Sequence, residues 1–90
     1  MKVLIVNAGS SSLKYQLVDM DNEQMIVKGQ VERIAIEGSH LNQKTPDMSK
    51  VIDLYEPIPD HVVATKLLLR PLLDPDRGVL QSVEEIGAVG

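Results

Sequence analysis

Val3-Leu4-Ile5-Val6 is an unbroken aliphatic run that ends at Asn7-Ala8-Gly9-Ser10-Ser11-Ser12. A short apolar run closed by small polar residues reads as a central strand, buried on both faces, running into a turn. From Leu13 the period becomes two, with Leu13, Tyr15 and Leu17 pointing one way and Lys14 and Gln16 the other. Met20-Asp21-Asn22-Glu23 is a turn, and a third strand runs from Gln24 to Ile34. Its Met25, Val27 and Val31 share one face and Lys28, Gln30 and Glu32 the other, with Gly29 marking a bulge. Consecutive strands joined by short polar turns predict an antiparallel three-stranded meander.

Beyond the meander, Thr45-Pro46-Asp47-Met48 has turn chemistry, with Pro at the second position. It separates His40–Lys44 from Lys50–Tyr55 and so predicts an outlying hairpin. Pro57-Ile58-Pro59 stops that hairpin, and Asp60 is placed to cap one main helix with Val63, Leu67, Leu68 and Leu72 as its apolar stripe. Pro71 lacks a donor and clashes one turn back, which predicts a kink or an end near Arg70. Asp74-Pro75-Asp76-Arg77-Gly78 is a loop, and Ser82-Val83-Glu84-Glu85 is a capping-box pattern. Ile86-Gly87-Ala88-Val89-Gly90 reads as the opening of another buried strand. A strand stopped in mid-pattern points to a chain cut from something longer.

Composition narrows the class. Ninety residues make one small domain, able to bury about 60% of its unfolded surface. A hydrophobic fraction of 43% with 24% charged residues is globular rather than disordered. Tyr15 and Tyr55 are the sole aromatics apart from histidine, so a stacking platform for single-stranded nucleic acid is excluded. A net charge of -4 argues against duplex or membrane binding, and the absence of Cys excludes thiol catalysis and thiolate metal sites. The aliphatic run after Lys2 is too short for a secretory segment, which needs about 7–15 apolar residues. A cytoplasmic protein is expected.

The candidate chemistry lies between Asn7 and Lys14. A strand that ends in Asn-Ala-Gly-Ser-Ser-Ser presents backbone N–H groups and hydroxyls at a tight turn, and Lys14 adds a positive charge just beyond it. Phosphate is the natural guest, although the same residue types also make ordinary hairpin turns. The segment is not a Walker A loop, because Leu13 stands at its second glycine and Tyr15 at its hydroxyl position. Nor is it a dinucleotide fingerprint, since Gly9 is its sole glycine. Other candidates are weaker. Asp19, Asp21 and Glu23 read as a solvated turn, His40 and His61 as isolated surface residues, and Glu84 and Glu85 as helix-start residues.

Lys2-Val3-Leu4-Ile5-Val6-Asn7-Ala8-Gly9-Ser10-Ser11-Ser12-Leu13-Lys14-Tyr15 closely resembles the amino-terminal signature of the acetate kinase family. The likeness continues through Gly29–Ile34, Ile36–Ser39, Pro59-Asp60-His61 and Ile86–Gly90, which covers essentially the whole chain. The resemblance implies an α/β, ribonuclease-H-like (actin-like ATPase) mixed sheet, residues 1–90 being the first part of an amino-terminal kinase domain. By position it implies a magnesium-associated role for Asn7, an ATP-associated role for Lys14 and phosphate-loop hydroxyls at Ser10 and Ser12. Magnesium is usually held by carboxylates and phosphates, so Asn7 would act through water or beside a carboxylate from elsewhere. The implied reaction moves the ATP γ-phosphoryl group to acetate, reversibly giving acetyl phosphate and ADP. The family's other catalytic groups lie outside this chain, so no catalytic residue is assigned within it and the fragment is expected to be inactive. The parent is expected to be a homodimer through its other domain. Propionate or butyrate kinase is the nearest enzyme alternative, and a non-catalytic nucleotide-binding or interaction module is another.

Overall fold

In the computed structural model, which describes residues 1–90, the chain forms one six-stranded mixed sheet with a short helical layer on one face. The strands are β1 (Lys2–Ala8), β2 (Leu13–Asp19), β3 (Gln24–Glu32), β4 (His40–Lys44), β5 (Val51–Tyr55) and β6 (Ile86–Val89). Two short helices, α1 (His61–Leu67) and α2 (Leu69–Leu72), and a 3-10 turn at Val83–Glu85 connect β5 to β6. The order across the sheet is β5-β4-β3-β2-β1-β6. All neighbours are antiparallel except β1 and β6, which run parallel. Parallel pairing requires a long crossover, and here the helices supply it. The predicted meander is present, and the β4–β5 hairpin extends the same sheet from its β3 edge.

The period of two in β2 holds: Leu13, Tyr15 and Leu17 are buried, and Lys14 is exposed. These residues join Leu4, Val27, Val31 and Leu41 of the neighbouring strands in a core covered by Ala64, Leu67, Leu68 and Leu72. The opposite sheet face carries no covering element within the chain. For that reason β1 is not buried on both faces. Leu4 lies in the core, whereas Ile5, pointing the other way, is 37% exposed. Residues 87–89 of β6 are likewise exposed, because this strand forms a sheet edge.

The bulge in β3 lies at Ile26, not at Gly29. Leu17 pairs with Val27 and Val18 with Met25, which leaves Ile26 as the extra residue. One extra residue reverses the alternation. Ile26 consequently packs against the core, while Met25 joins the open face with Lys28. The ladder runs regularly through Gly29, which sits between Tyr15 and Gln43. A β-carbon there would stand 2.2 Å from Tyr15 Cζ, too close for both to remain in place. Gly29 is therefore the seat of an aromatic side chain.

Helix α1 starts as predicted: the Asp60 carboxylate accepts a hydrogen bond from Val63 N–H at 2.8 Å. Its buried stripe begins at Ala64, and Val63, on the neighbouring face, is 36% exposed. The break falls at Leu68, one turn before Pro71, because Pro71 offers no N–H to the Leu67 carbonyl. Ser82 and Glu85 form the predicted capping box. No helix is long and apolar enough to cross a membrane.

Candidate functional site

The β1–β2 turn is built by short-range chemistry. Ala8 and Leu13 are the last paired residues, and Gly9 N–H closes the turn on the Ser12 carbonyl at 2.8 Å. A β-carbon on Gly9 would stand 2.7 Å from Ser12 Oγ, so a larger residue there would make that hydroxyl turn aside. The Ser11 carbonyl accepts from Ile34 N–H at 3.0 Å, which ties the turn to the end of β3. The backbone N–H groups and hydroxyls of Ser10, Ser11 and Ser12 have no acceptor within the chain. The turn is donor-rich on its free side, as an anion-binding concavity is.

Asn7 and Lys14 are direct cross-strand partners, which places both side chains on the open face of the sheet at the foot of this turn. Both are exposed. They line one end of a shallow trough of about 410 Å³ that continues over Gln16, Lys28, Gln30 and Lys44. Lys14, Lys28 and Lys44 form no ion pair with a carboxylate of the chain. In a protein of net charge -4, these lysines make the open face locally positive. Ser10 and Ser12 lie at the turn itself, outside the trough lining. The sequence-predicted residues thus form two adjoining parts, a polar turn and an Asn–Lys pair beneath it.

Beneath Lys14, on the core side, Tyr15 is fixed. Its hydroxyl donates to Gln43 Oε1 at 2.6 Å, and Gln43 Nε2 donates to the Pro71 carbonyl at 3.1 Å. Burial pushes the Tyr15 hydroxyl well above its ordinary range, so it remains a neutral donor. This chain of bonds locks the first half of β2 to the helical layer.

Both histidines differ from their expected isolation. His40 stacks on Tyr55 with ring centroids 5.3 Å apart and lies 3.5 Å from the Glu32 carboxylate, at the far side of the sheet. His61 reaches the turn: its Nε2 lies 2.7 Å from the Gly9 carbonyl and 3.2 Å from the Ser12 carbonyl. Sequence reasoning missed this contact because His61 stands more than fifty residues along the chain from Gly9. Its partners are backbone atoms, which carry no side-chain signature. Asp19, Asp21 and Glu23 occupy a turn, where Asp21 pairs with the amino terminus at 3.0 Å. No group of three or more His, Asp or Glu side chains is placed to hold a metal ion.

Comparison with known proteins points to one family. The model of the acetokinase family matches residues 2–90. Over 90 residues the chain is 52% identical to an acetate kinase of Clostridium botulinum (strain Hall), covering 100% of this chain and 22% of the relative. It is 53% identical, at the same coverage, to an acetate kinase of Clostridium kluyveri. Among solved structures, Porphyromonas gingivalis acetate kinase superposes with a TM-score of 0.91 at 38% identity, covering 99% of this chain and 22% of that one. A propionate kinase of Francisella tularensis gives a TM-score of 0.79 at 26% identity, covering 99% and 21%. The chain therefore spans about a fifth of the length of the relatives that it matches.

Proposed function

The chain belongs to the acetokinase family, and we propose that it is the first part of the amino-terminal, actin-like domain of an acetate kinase, supplying that enzyme's phosphate-binding hairpin. The carrying observation is the juxtaposition of Asn7 and Lys14 at the foot of a turn whose serine N–H groups and hydroxyls have no acceptor in the chain. Phosphoryl transfer depends mainly on positioning and on neutralising charge over the transferring group. In the reaction, an acetate oxygen attacks the γ-phosphorus of ATP and the bond to the bridging oxygen breaks, leaving acetyl phosphate and ADP. Lys14 meets phosphate charge, and the Ser10 and Ser12 donors orient phosphate oxygens. The groups that complete the in-line transition state belong to the remainder of the parent, a cytoplasmic homodimer in this reading.

Magnesium fits this chain's residues poorly. It is usually held by one or two carboxylates together with substrate phosphates. Asn7 brings a neutral amide oxygen, and its cross-strand neighbour is the Lys14 ammonium. The chain's own share in a magnesium-dependent reaction is to hold phosphate, with Asn7 reaching the ion through water or beside a carboxylate from elsewhere in the parent.

Acetate is taken as the acceptor in preference to propionate because the relatives that are 52% and 53% identical are acetate kinases, whereas the propionate kinase is 26% identical. The test is Lys14→Ala in the full-length protein. Lys14 is exposed and unpaired, so stability should change by no more than about 0.5 kcal/mol, while the KM for ATP rises at least about tenfold. An unchanged KM for ATP would remove Lys14 from the site.

A further inference from the structure

His61 is the first residue of α1, and its backbone is fixed from both sides. Asp60 caps the helix through Val63 N–H, and Ala64 and Leu67 bury the helix against the sheet. From this rigid base the imidazole Nε2 approaches the carbonyls of Gly9 and Ser12 at 2.7 and 3.2 Å. Both partners are pure acceptors, so Nε2 carries the proton and donates to both. A trans peptide sets its N–H opposite its C=O. Drawing the Gly9 carbonyl towards α1 therefore turns the Ser10 N–H to the far side. The Ser11 carbonyl, drawn to Ile34, turns the Ser12 N–H in the same manner. Three carbonyls of the turn are thus committed to the body of the domain, while its donors face outwards.

We propose that His61 is a positioning residue of the phosphate hairpin: its shared Nε2–H bond sets the Gly9–Ser10 peptide plane and so aims the turn's N–H donors at the phosphate groups of a nucleoside triphosphate. This inference rests on the nucleotide reading above. The imidazole touches no substrate; it acts through the Gly9 and Ser12 carbonyls. A glutamine carries its amide nitrogen at nearly the reach of Nε2, and a leucine fills the same space without a donor.

The experiment compares the full-length proteins carrying His61→Leu, His61→Gln and Lys14→Ala, with KM for ATP, KM for acetate and Tm measured for each. Loss of one shared donor should raise the KM for ATP about five- to tenfold in His61→Leu, with the KM for acetate within about twofold of the parent. His61→Gln should recover most of the ATP affinity. Should His61→Leu fail to fold, His61→Asn replaces it under the same criterion, because its shorter amide cannot span both carbonyls. A proportional rise of both KM values, tracking a fall in Tm, would reduce His61 to a structural tie and overturn the proposal. If Lys14→Ala impairs ATP use and the His61 variants do not, the proposal fails while the nucleotide reading stands. If neither residue affects ATP use, both fail.

Discussion

The Tyr15 hydroxyl reaches Gln43 by laying its ring across Gly29, the residue that separates the two in the sheet. The bare glycine backbone, the aromatic ring and the buried amide form one device. Substituting Gly29→Ala should displace the ring and cost about 1–3 kcal/mol, the usual range for overpacking. Urea denaturation checks the value. A double-mutant cycle with Tyr15→Ala should show strong coupling, because removing the ring gives the new methyl group room.

Tyr15→Phe leaves Gln43 Oε1 without its donor, at a cost of about 1–3 kcal/mol near neutral pH. The pH dependence has a definite sign. Burial raises the pKa of Tyr15 in the folded state, so the folded protein keeps a proton that the unfolded chain releases near pH 10. The resulting stabilisation is present below that pH and is lost as pH rises above it. Stability curves between pH 8 and 11 should fall more steeply for the parent than for the Phe variant.

Acid acts at the other edge of the sheet. Glu85 accepts from Lys2 Nζ at 2.9 Å and from the N–H groups of Gln81 and Ser82, which hold its carboxyl at about 2, with Lys2 the largest cause. A lowered carboxylate pKa stabilises the fold above the unfolded value, and the benefit disappears as pH falls towards the folded one. Glu85→Gln should flatten the stability profile between about pH 5 and pH 2. An unchanged acid limb would show that the pair contributes nothing.

The ninety residues alone should form no acetyl phosphate from ATP and acetate, because Lys14 and the serine turn cannot by themselves neutralise an in-line transition state. A hydroxamate assay on the purified chain tests this directly. Any turnover above the buffer control would mean that the hairpin holds more of the catalytic machinery than assigned here.

Local pattern carried much of the fold. The alternation at Leu13, Tyr15 and Leu17, the Asp60 cap and the Ser82–Glu85 box were legible because each depends on neighbours within a few residues. The Asn7–Lys14 pairing was not legible, because Asn7 reads as part of the turn, and the register of β1 with β2 makes it the last residue but one of the strand. Ile26 was not legible as a bulge, because its aliphatic side chain fits a regular strand equally well; the pairing of β2 with β3 decides it. Gly29 announced an irregularity, but its meaning depends on a ring fourteen positions earlier in the sequence. The exposure of Ile5 follows from which sheet face the helices cover, and no property of β1 itself contains that information.

The parallel pairing of β6 with β1 also bears on the order of folding. Every other strand pairs with its sequence neighbour across a short connection, whereas Leu4 must meet Gly90 across nearly the whole chain. Closing so long a loop costs about 2 kcal/mol more entropy than closing a hairpin turn. The five-stranded ribbon, serine turn included, can therefore assemble first from local encounters. On this account β6 docks last and is the first to release in hydrogen exchange. The serine turn takes shape on the early, local side of that sequence, and the closing strand finds β1 already in place.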